Sequence, residues 1–578
     1  MSGILDLLSA KLGAGFAAEG LDVSFGQVRV SDRPDLAQYQ CNGAMAAAKA
    51  AKQNPRLIAE RVKERVECDP IFAKVELAGP GFINLTLTDA FLEEQANAVT
   101  GDKRFGVSAH EPASTVVIDF GGPNVAKPLH VGHLRSTIIG DSLQRLFRFM
   151  GDDVTSDVHL GDWGLQMGQV LYGLEHPEVS GVAVDGIPSL DELEKIYPAV
   201  SAASKADKEI LAACREITAD LQEHKQPHYD LWRQVRAVSV EAIKKGFDSL
   251  GAHFDEWKGE ADADPFIAPM VEKLKADAIA QESEGALVIF VKQNDDKSEI
   301  PPLILLKADG AAMYGTTDLG TIIDRVRSHD PDLILYVVDQ RQHLHFEQVF
   351  RAARKAGING KAAMEHIGFG TMNGPDGKPF KTREGGVMRL DELIKMATEA
   401  AAKRIEEAGI GADYPAEERA EIARQVGLAA IKFADLSNYR MTDYIFDLDR
   451  FAAFEGKTGP YLQYAAVRIK SILKRAEGEG RDVQGPIKIG ADEERSLVLA
   501  LSGLNEALQN AYDRRAPNLL CDYVYGIAQA FSTFYSACPV VKEEDEGVRA
   551  SRLALCRATL AQLELVLGLL GIEIPERM

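Results

Sequence analysis

Between Thr115 and His159 the chain reads strand, glycine turn, helix, strand, and this stretch limits its possible folds most sharply. Thr115 to Phe120 is a short apolar run, and Gly121-Gly122-Pro123 makes a turn. Leu134, Ile138, Leu143, Leu146 and Phe149 then recur at roughly helical spacing up to Met150, where Gly151 is a stop signal. A second strand, Asp153 to His159, follows directly. A βαβ unit favours a parallel, doubly wound sheet, because parallel strands need a crossover and the helix supplies it.

The rest of the chain fits around that unit. From about residue 175 to 285 the composition is rich in Glu, Lys and Ala and predicts an inserted helical subdomain. Strand-like runs return at Leu287 to Val291, Leu303 to Lys307 and Leu333 to Asp339, the last followed by a helix-like Leu344 to Lys355. A chain that leaves a parallel sheet and returns to it predicts a Rossmann-type core with a connective insertion. Before the core, helix-like runs (Asp35 to Gln53, Asn54 to Cys68) accompany a β-like Lys74 to Leu87 with a Gly79-Pro80-Gly81 turn. After about residue 390 the pattern is helical nearly to the end. The expected division is 1–112, a small α+β domain; 113–390, the α/β core; 391–454, a helical connecting region; and 455–578, an all-α domain.

Lys plus Arg number 65 and Asp plus Glu 87, a net charge of −22. That balance argues against sequence-blind adhesion to nucleic acid or anionic membrane, though a local basic groove remains compatible with it. The 6 cysteines form no CxxC pair and no His/Cys cluster at metal-ligand spacing, so no tightly bound metal is expected. No run approaches the ~20 apolar residues of a membrane helix, and the start has no signal-peptide pattern. A cytoplasmic protein with no membrane partner is the expectation.

The strongest chemical signal is Pro123-Asn124-Val125-Ala126-Lys127-Pro128-Leu129-His130-Val131-Gly132-His133, set between a strand and a helix start. Backbone N–H groups and the positive helix end face any anion that docks there. His130 and His133 can donate to phosphate oxygens, Gly132 allows close approach, and Lys127 adds a point charge. Surface or core histidines would be the plain alternative for the pair alone.

This segment resembles the HIGH motif of class I aminoacyl-tRNA synthetases, which binds ATP, and the string PNVAKPLHVGHLRS is similar to that of arginyl-tRNA synthetases. The resemblance implies attack of the arginine carboxylate on the α-phosphate of ATP, with Mg²⁺ on the phosphates, then transfer to the 3′ end of tRNA(Arg). It also implies an activation step that requires bound tRNA, and a monomer. Lys127, His130 and His133 become the candidate catalytic groups. The family's mobile lysine loop corresponds to Gly377-Lys378-Pro379-Phe380-Lys381-Thr382-Arg383-Glu384-Gly385-Gly386, which departs from the common KMSKS form. Lys378 and Lys381 join the catalytic candidates. Pro123, His130, Gly132, His133, Lys381 and Thr382 are the candidates for contacting ATP.

A guanidinium is planar with five donors, so a pocket selecting arginine needs carboxylates and other acceptors in a fork arrangement. Met313 to Leu319 and Tyr336 to His345 supply them and are similar to the family's amino-acid-site strings. By that resemblance Tyr314 and Asp318 hold the guanidinium, Gln342 the amino-acid backbone and Asn124 the α-amino group, with Glu260 and His159 as further pocket residues. His159-Leu160-Gly161-Asp162-Trp163-Gly164-Leu165-Gln166 resembles another family string and is expected to wall the site. For tRNA, Tyr461, Tyr464, Arg468, Lys470 and Lys474 offer aromatics and bases at the start of a region resembling the family's anticodon-binding domain. Asn42 lies in a segment resembling its extra N-terminal domain. A small-molecule nucleotidyltransferase and a synthetase-like protein without catalysis are the competing readings.

Overall fold

Val116, Val117 and Ile118 are buried in a strand, β1 (Thr115–Asp119), which pairs in parallel with β2 (Asp153–Asp157). The connecting helix α1 (Val131–Met150) is buried on nearly every side. One interior polar group ties it to the sheet: Ser136 Oγ donates to the Val337 carbonyl at 2.7 Å and accepts from the Gly121 N–H at 2.8 Å. Gly151 ends the helix in the left-handed region, φ 106°. The crossover expected from the sequence is present.

The computed structural model describes residues 3–33, 36–308, 310–374, 376–378, 380 and 387–578. It divides into two units, one of Met1–Ala109, Tyr461–Gly568 and Ile574–Met578, the other of His110–Pro460 and Leu569–Glu573.

In the second unit the inserted region forms helices that include α2 (Leu190–Ala206), α3 (His228–Ser249) and α4 (Glu260–Ala276). After it come α5 (Tyr314–His329), β3 (Leu333–Tyr336), α6 (His343–Ala356) and β4 (Ala363–His366). The parallel sheet runs β4-β3-β1-β2. One sequence expectation is corrected here. The runs at Leu287 to Val291 and Leu303 to Lys307 do not return to that sheet but form a three-stranded antiparallel one, Gln281–Ser283, Ala286–Ile289 and Leu303–Leu306. Only Glu284 and Gly285, both at positive φ, separate its first two strands. A two-residue connection can join only antiparallel neighbours. Leu287, Leu305, Leu319, Ile334 and Phe346 share one core, so α5 is packed between the two sheets.

Register brings Asp119, Asp157 and Tyr336 to the same level at the carboxyl ends of β1, β2 and β3. Arg325 of α5, 1% exposed, donates from one terminal nitrogen to both carboxylates at 2.7 Å. α5 is thereby tied to the edge of the sheet where ligands of open α/β folds bind.

In the first unit the strands Val28–Val30, Tyr39–Cys41, Phe82–Leu87 and Phe72–Ala78 form an antiparallel sheet in that order. The helix expected over Asp35 to Gln53 is corrected: Tyr39–Cys41 is a strand and the helix is Gly43–Ala51. Tyr39 and Cys41 are buried on one face of the sheet, an alternation of period two that the alanine-rich run after them hides. Asp35 itself lies outside the described residues. The C-terminal part of this unit is helical, including Asp492–Ser502 and Glu546–Leu569.

Candidate active site

The end of α1 is built by its two histidines. His130 is the N-cap: its Nδ1 accepts the Gly132 N–H at 3.0 Å, while its own N–H donates to His133 Nδ1 at 3.1 Å. The rings stack with centroids 3.9 Å apart. An imidazole nitrogen that accepts carries no proton, so each neutral ring holds its proton on Nε2. Burial, with the Lys127 charge adding, lowers the His130 pKa, and burial with the His130 charge pushes His133 down to about 3. Both rings are therefore neutral Nε2–H donors at pH 7. Gly132 permits the fold-back, since a Cβ there would come within 2.7 Å of the His130 ring.

Upstream, the chain from Pro123 to Ala126 is stitched to the β2 side. Val125 N–H donates to the Gly161 carbonyl and Gly161 N–H to the Pro123 carbonyl, both at 3.0 Å. A Cβ at Gly161 would lie 2.2 Å from Asn124 Oδ1, so the glycine is what lets the Asn124 amide sit there. Ala126, at φ 65°, donates its N–H to Ser239 Oγ of α3. That turn presents Lys127, whose Nζ lies 4.1 Å from the centroid of the Tyr197 ring of α2. Burial lowers the Lys127 pKa. The chain beyond the lysine loop returns to this place: Val131 N–H donates to the Met388 carbonyl and Leu390 N–H to the Leu129 carbonyl, both at 3.0 Å. Arg389, between them, reaches Asp191 at 3.1 Å and Glu194 at 3.2 Å on α2. The helix carrying Tyr197 is thus pinned to the histidine turn.

A second cluster gathers around Glu260. Its N–H, at the first position of α4, donates to the Leu160 carbonyl at 2.9 Å. Its carboxyl is raised to about 7, by burial first, with the charges of Asp162 and Asp318 adding and that of His159 opposing. Tyr314 begins α5 and is 72% exposed; burial of its hydroxyl raises its pKa, with the charge of Glu260 adding. Asp318, one turn on, places Oδ2 2.5 Å from His345 Nε2 of α6. The His345 pKa is raised by that bond. His159 stands at φ 41°, and its Nδ1 is buried with no hydrogen-bond partner among the described residues. These groups form an acidic cluster beside the carboxyl ends of the strands, a set of acceptors that suits a cation with several donors. Gln342 precedes α6 and is exposed.

Two of the expected wall residues are engaged elsewhere. The Asp162 carboxylate is buried and fully used: Arg236 Nε donates to it at 2.6 Å and the Ala261 N–H at 3.0 Å. It fixes α3 to α4. Gln166 donates to the Val125 carbonyl at 3.2 Å and so supports the histidine turn. Of the lysine loop, Lys378 is exposed in a turn closed by Gly374 N–H to the Lys378 carbonyl at 2.8 Å. Lys381, Thr382, Pro379 and Arg383 lie outside the described residues.

The expected RNA contacts belong to the other unit. Lys470 is paired with Glu564 and Glu576, each at 3.4 Å, and Arg468 lies 4.4 Å from the centroid of the Tyr535 ring. Tyr461 meets Tyr525 edge to face. Tyr464 is 42% exposed and Lys474 is also exposed. Asn42, with its amide turned so that oxygen faces Arg29, accepts from that guanidinium at 2.8 Å.

Tyr197, Arg325 and Arg389 are not among the sequence candidates, and His345 closes the segment expected at the amino-acid site without a role of its own. His345 carried a signal, since it stands three residues after Gln342 on a helix start. Tyr197 carried none, being one aromatic in an amphipathic helix far from the motif in sequence.

Three family models match the chain: "tRNA synthetases class I (R), catalytic domain" over residues 95–448, "DALR anticodon binding domain" over 462–578, and "Arginyl tRNA synthetase N terminal domain" over 4–87. The arginine–tRNA ligase of Maricaulis maris is 55% identical over 589 residues, covering 100% of both chains. That of Hyphomonas neptunium is 49% identical over 590 residues with the same coverage. Among solved structures, arginyl-tRNA synthetase from Plasmodium falciparum superposes with TM-score 0.84 at 25% identity, covering 100% of each chain. The Thermus thermophilus enzyme matches in fold, with TM-score 0.81 at 23% identity and the same coverage.

Proposed function

The chain belongs to the arginyl-tRNA synthetase family of class I, and on that premise we propose how its own residues carry out the reaction. The activity is ATP-dependent formation of arginyl-tRNA from arginine and tRNA(Arg). An arginine carboxylate oxygen attacks the α-phosphorus and pyrophosphate leaves. A terminal ribose hydroxyl of the tRNA then attacks the adenylate carbonyl carbon, and AMP leaves.

In our reading His130 and His133 donate Nε2–H to the phosphate oxygens as charge builds in the pentavalent transition state, and Lys127 supplies the positive charge. Pro123 and Gly132 border the nucleotide, and Lys378, Lys381 and Thr382 are the further groups assigned to it. Glu260, Asp318 and Tyr314 receive the guanidinium, while Asn124, His159 and Gln342 orient the amino-acid end. Preorganised neutral donors avoid reorganisation at the moment of reaction.

One observation carries the assignment of the arginine pocket: burial, with the charges of Asp162 and Asp318 adding, raises the Glu260 carboxyl to about 7, and a bound cation would favour its ionised form. Charging assays with arginine and lysine test it. Asp318→Ala should raise the arginine KM by tenfold or more and leave the ATP KM near wild type. Equal losses for both substrates would remove Asp318 from the pocket.

We propose further that Mg²⁺ enters on the phosphates. Among the described residues no group of three His, Cys, Asp or Glu converges as a protein-built metal cage, and Mg²⁺ is commonly held by phosphates with few side chains. A monomer acting in the cytoplasm, with residues 1–112 and 455–578 contacting tRNA through Asn42, Tyr461, Tyr464, Arg468, Lys470 and Lys474, completes the reading. No helix among the described residues is long and apolar enough to cross a membrane.

A further inference from the structure

A cavity of about 330 Å³ lies within the first unit, between the segment from Leu92 to Gly106 and the helices Asp492–Ser502 and Glu546–Leu569. Leu92, Val99, Phe105, Val498 and Leu501 give it apolar walls. Its volume is in the range of small-molecule sites, about 300–1,000 Å³. Two cations also line it, Arg557 and Lys103. Arg557 is half-buried and has no hydrogen bond or ion pair among the described residues. Lys103, likewise unpaired, is exposed at the rim.

The acid among the described lining residues is Asp102, and it is already engaged. The main-chain N–H groups of Arg104 and Gly106 donate to it at 2.9 and 2.7 Å. A guanidinium half removed from water without a partner is unfavourable, and an anionic group bonded to it would compensate. Apolar walls with one unsatisfied fork of donors therefore select a ligand with an apolar body and one anionic end.

We propose that this cavity is a binding site for an apolar-bodied monoanion, an aromatic carboxylate or sulfonate, with its charge on Arg557 and its rings against Phe105 and Leu501. Neither the histidine turn nor the acidic cluster around Glu260 contributes to it, so it is independent of the residue roles proposed above. A ligand there binds the folded unit alone and raises its melting temperature by mass action.

The probe is 8-anilino-1-naphthalenesulfonate, titrated into the full-length protein with saturating ATP and arginine so that the substrate sites are filled. Saturable one-to-one binding is expected. Arg557→Leu should weaken it by about tenfold or more, the scale of losing a charge-assisted bond. Ala561→Trp should abolish binding by filling the cavity, and Ala96→Leu, from the opposite wall, does the same with a smaller insertion should the tryptophan variant fail to fold. Absence of one-to-one binding in the wild type would overturn the site. So would wild-type affinity in the folded cavity-filling variants, and wild-type affinity in Arg557→Leu would overturn its anion chemistry.

Discussion

His345 Nε2 stands 2.5 Å from Asp318 Oδ2, joining the first turn of α6 to the second turn of α5 across 27 residues of sequence. The carboxylate proposed to meet the guanidinium is therefore held in place by an imidazole before any substrate arrives. His345→Ala should raise the arginine KM about twofold to tenfold, the worth of one net hydrogen bond, with the ATP KM unchanged. Because Asp318 raises the His345 pKa, the stabilisation is fully present below the ordinary value near 6.5 and is lost as pH rises through the raised one. Melting temperatures of wild type and His345→Gln should differ most near pH 6 and converge at alkaline pH. A pH-independent gap would dismiss the ion pair.

Glu260 gives a second pH signature. A carboxyl raised to about 7 from 4.5 binds more protons folded than unfolded in that window, so its contribution to stability falls as pH rises across it. With Glu260 in the proposed arginine pocket, the guanidinium favours the ionised form, so the arginine KM should rise below pH 7, at most about tenfold per unit for one proton. Glu260→Gln should flatten that slope. A mutant profile parallel to wild type would place the titration elsewhere.

The tautomers of the histidine turn are testable by amide substitution. Glutamine can set its side-chain NH₂ near the Nε2 position, and asparagine cannot reach it. His133→Gln should retain adenylate formation better than His133→Asn, with the asparagine variant slower by about 10²-fold, the loss typical of one preorganised donor. Pyrophosphate exchange in the presence of tRNA measures both. The reverse order would mean that Nδ1 faces the phosphates.

Tyr197 covers Lys127 with its ring face at 4.1 Å, and such contacts contribute about 0.5–2 kcal/mol. Tyr197→Leu should slow adenylate formation about 2- to 30-fold on that scale while tRNA affinity stays near wild type. Tyr197→Phe, which keeps the ring, should recover most of the rate. A tyrosine acting through its hydroxyl would leave Tyr197→Phe as impaired as Tyr197→Leu.

Arg325 should matter to stability more than to chemistry. Removing it leaves Asp119 and Asp157 buried and uncompensated, and breaking a buried pair costs about 3–5 kcal/mol. Arg325→Leu should lower the melting temperature markedly, and Asp157→Asn in that background should restore part of it. Unchanged melting in Arg325→Leu would deny the clamp.

The sequence by itself determined the features encoded in short windows. The apolar run Thr115 to Phe120, Gly121-Gly122-Pro123 and the spacing from Leu134 to Met150 specify strand, turn and helix through backbone sterics and local periodicity, and the histidine pair marks the helix start. Tertiary structure alone decided which sheet Leu287 and Leu303 join, because an apolar run fits a parallel or an antiparallel neighbour equally well. It also decided that Arg325 bonds Asp119, 206 residues away, and Asp157, 168 residues away. The proton positions on His130 and His133 follow from which main-chain N–H each ring accepts, and the raised Glu260 pKa follows from burial among charges contributed by other elements. Such properties depend on desolvation and on pairings between distant segments, which no local pattern of residues encodes.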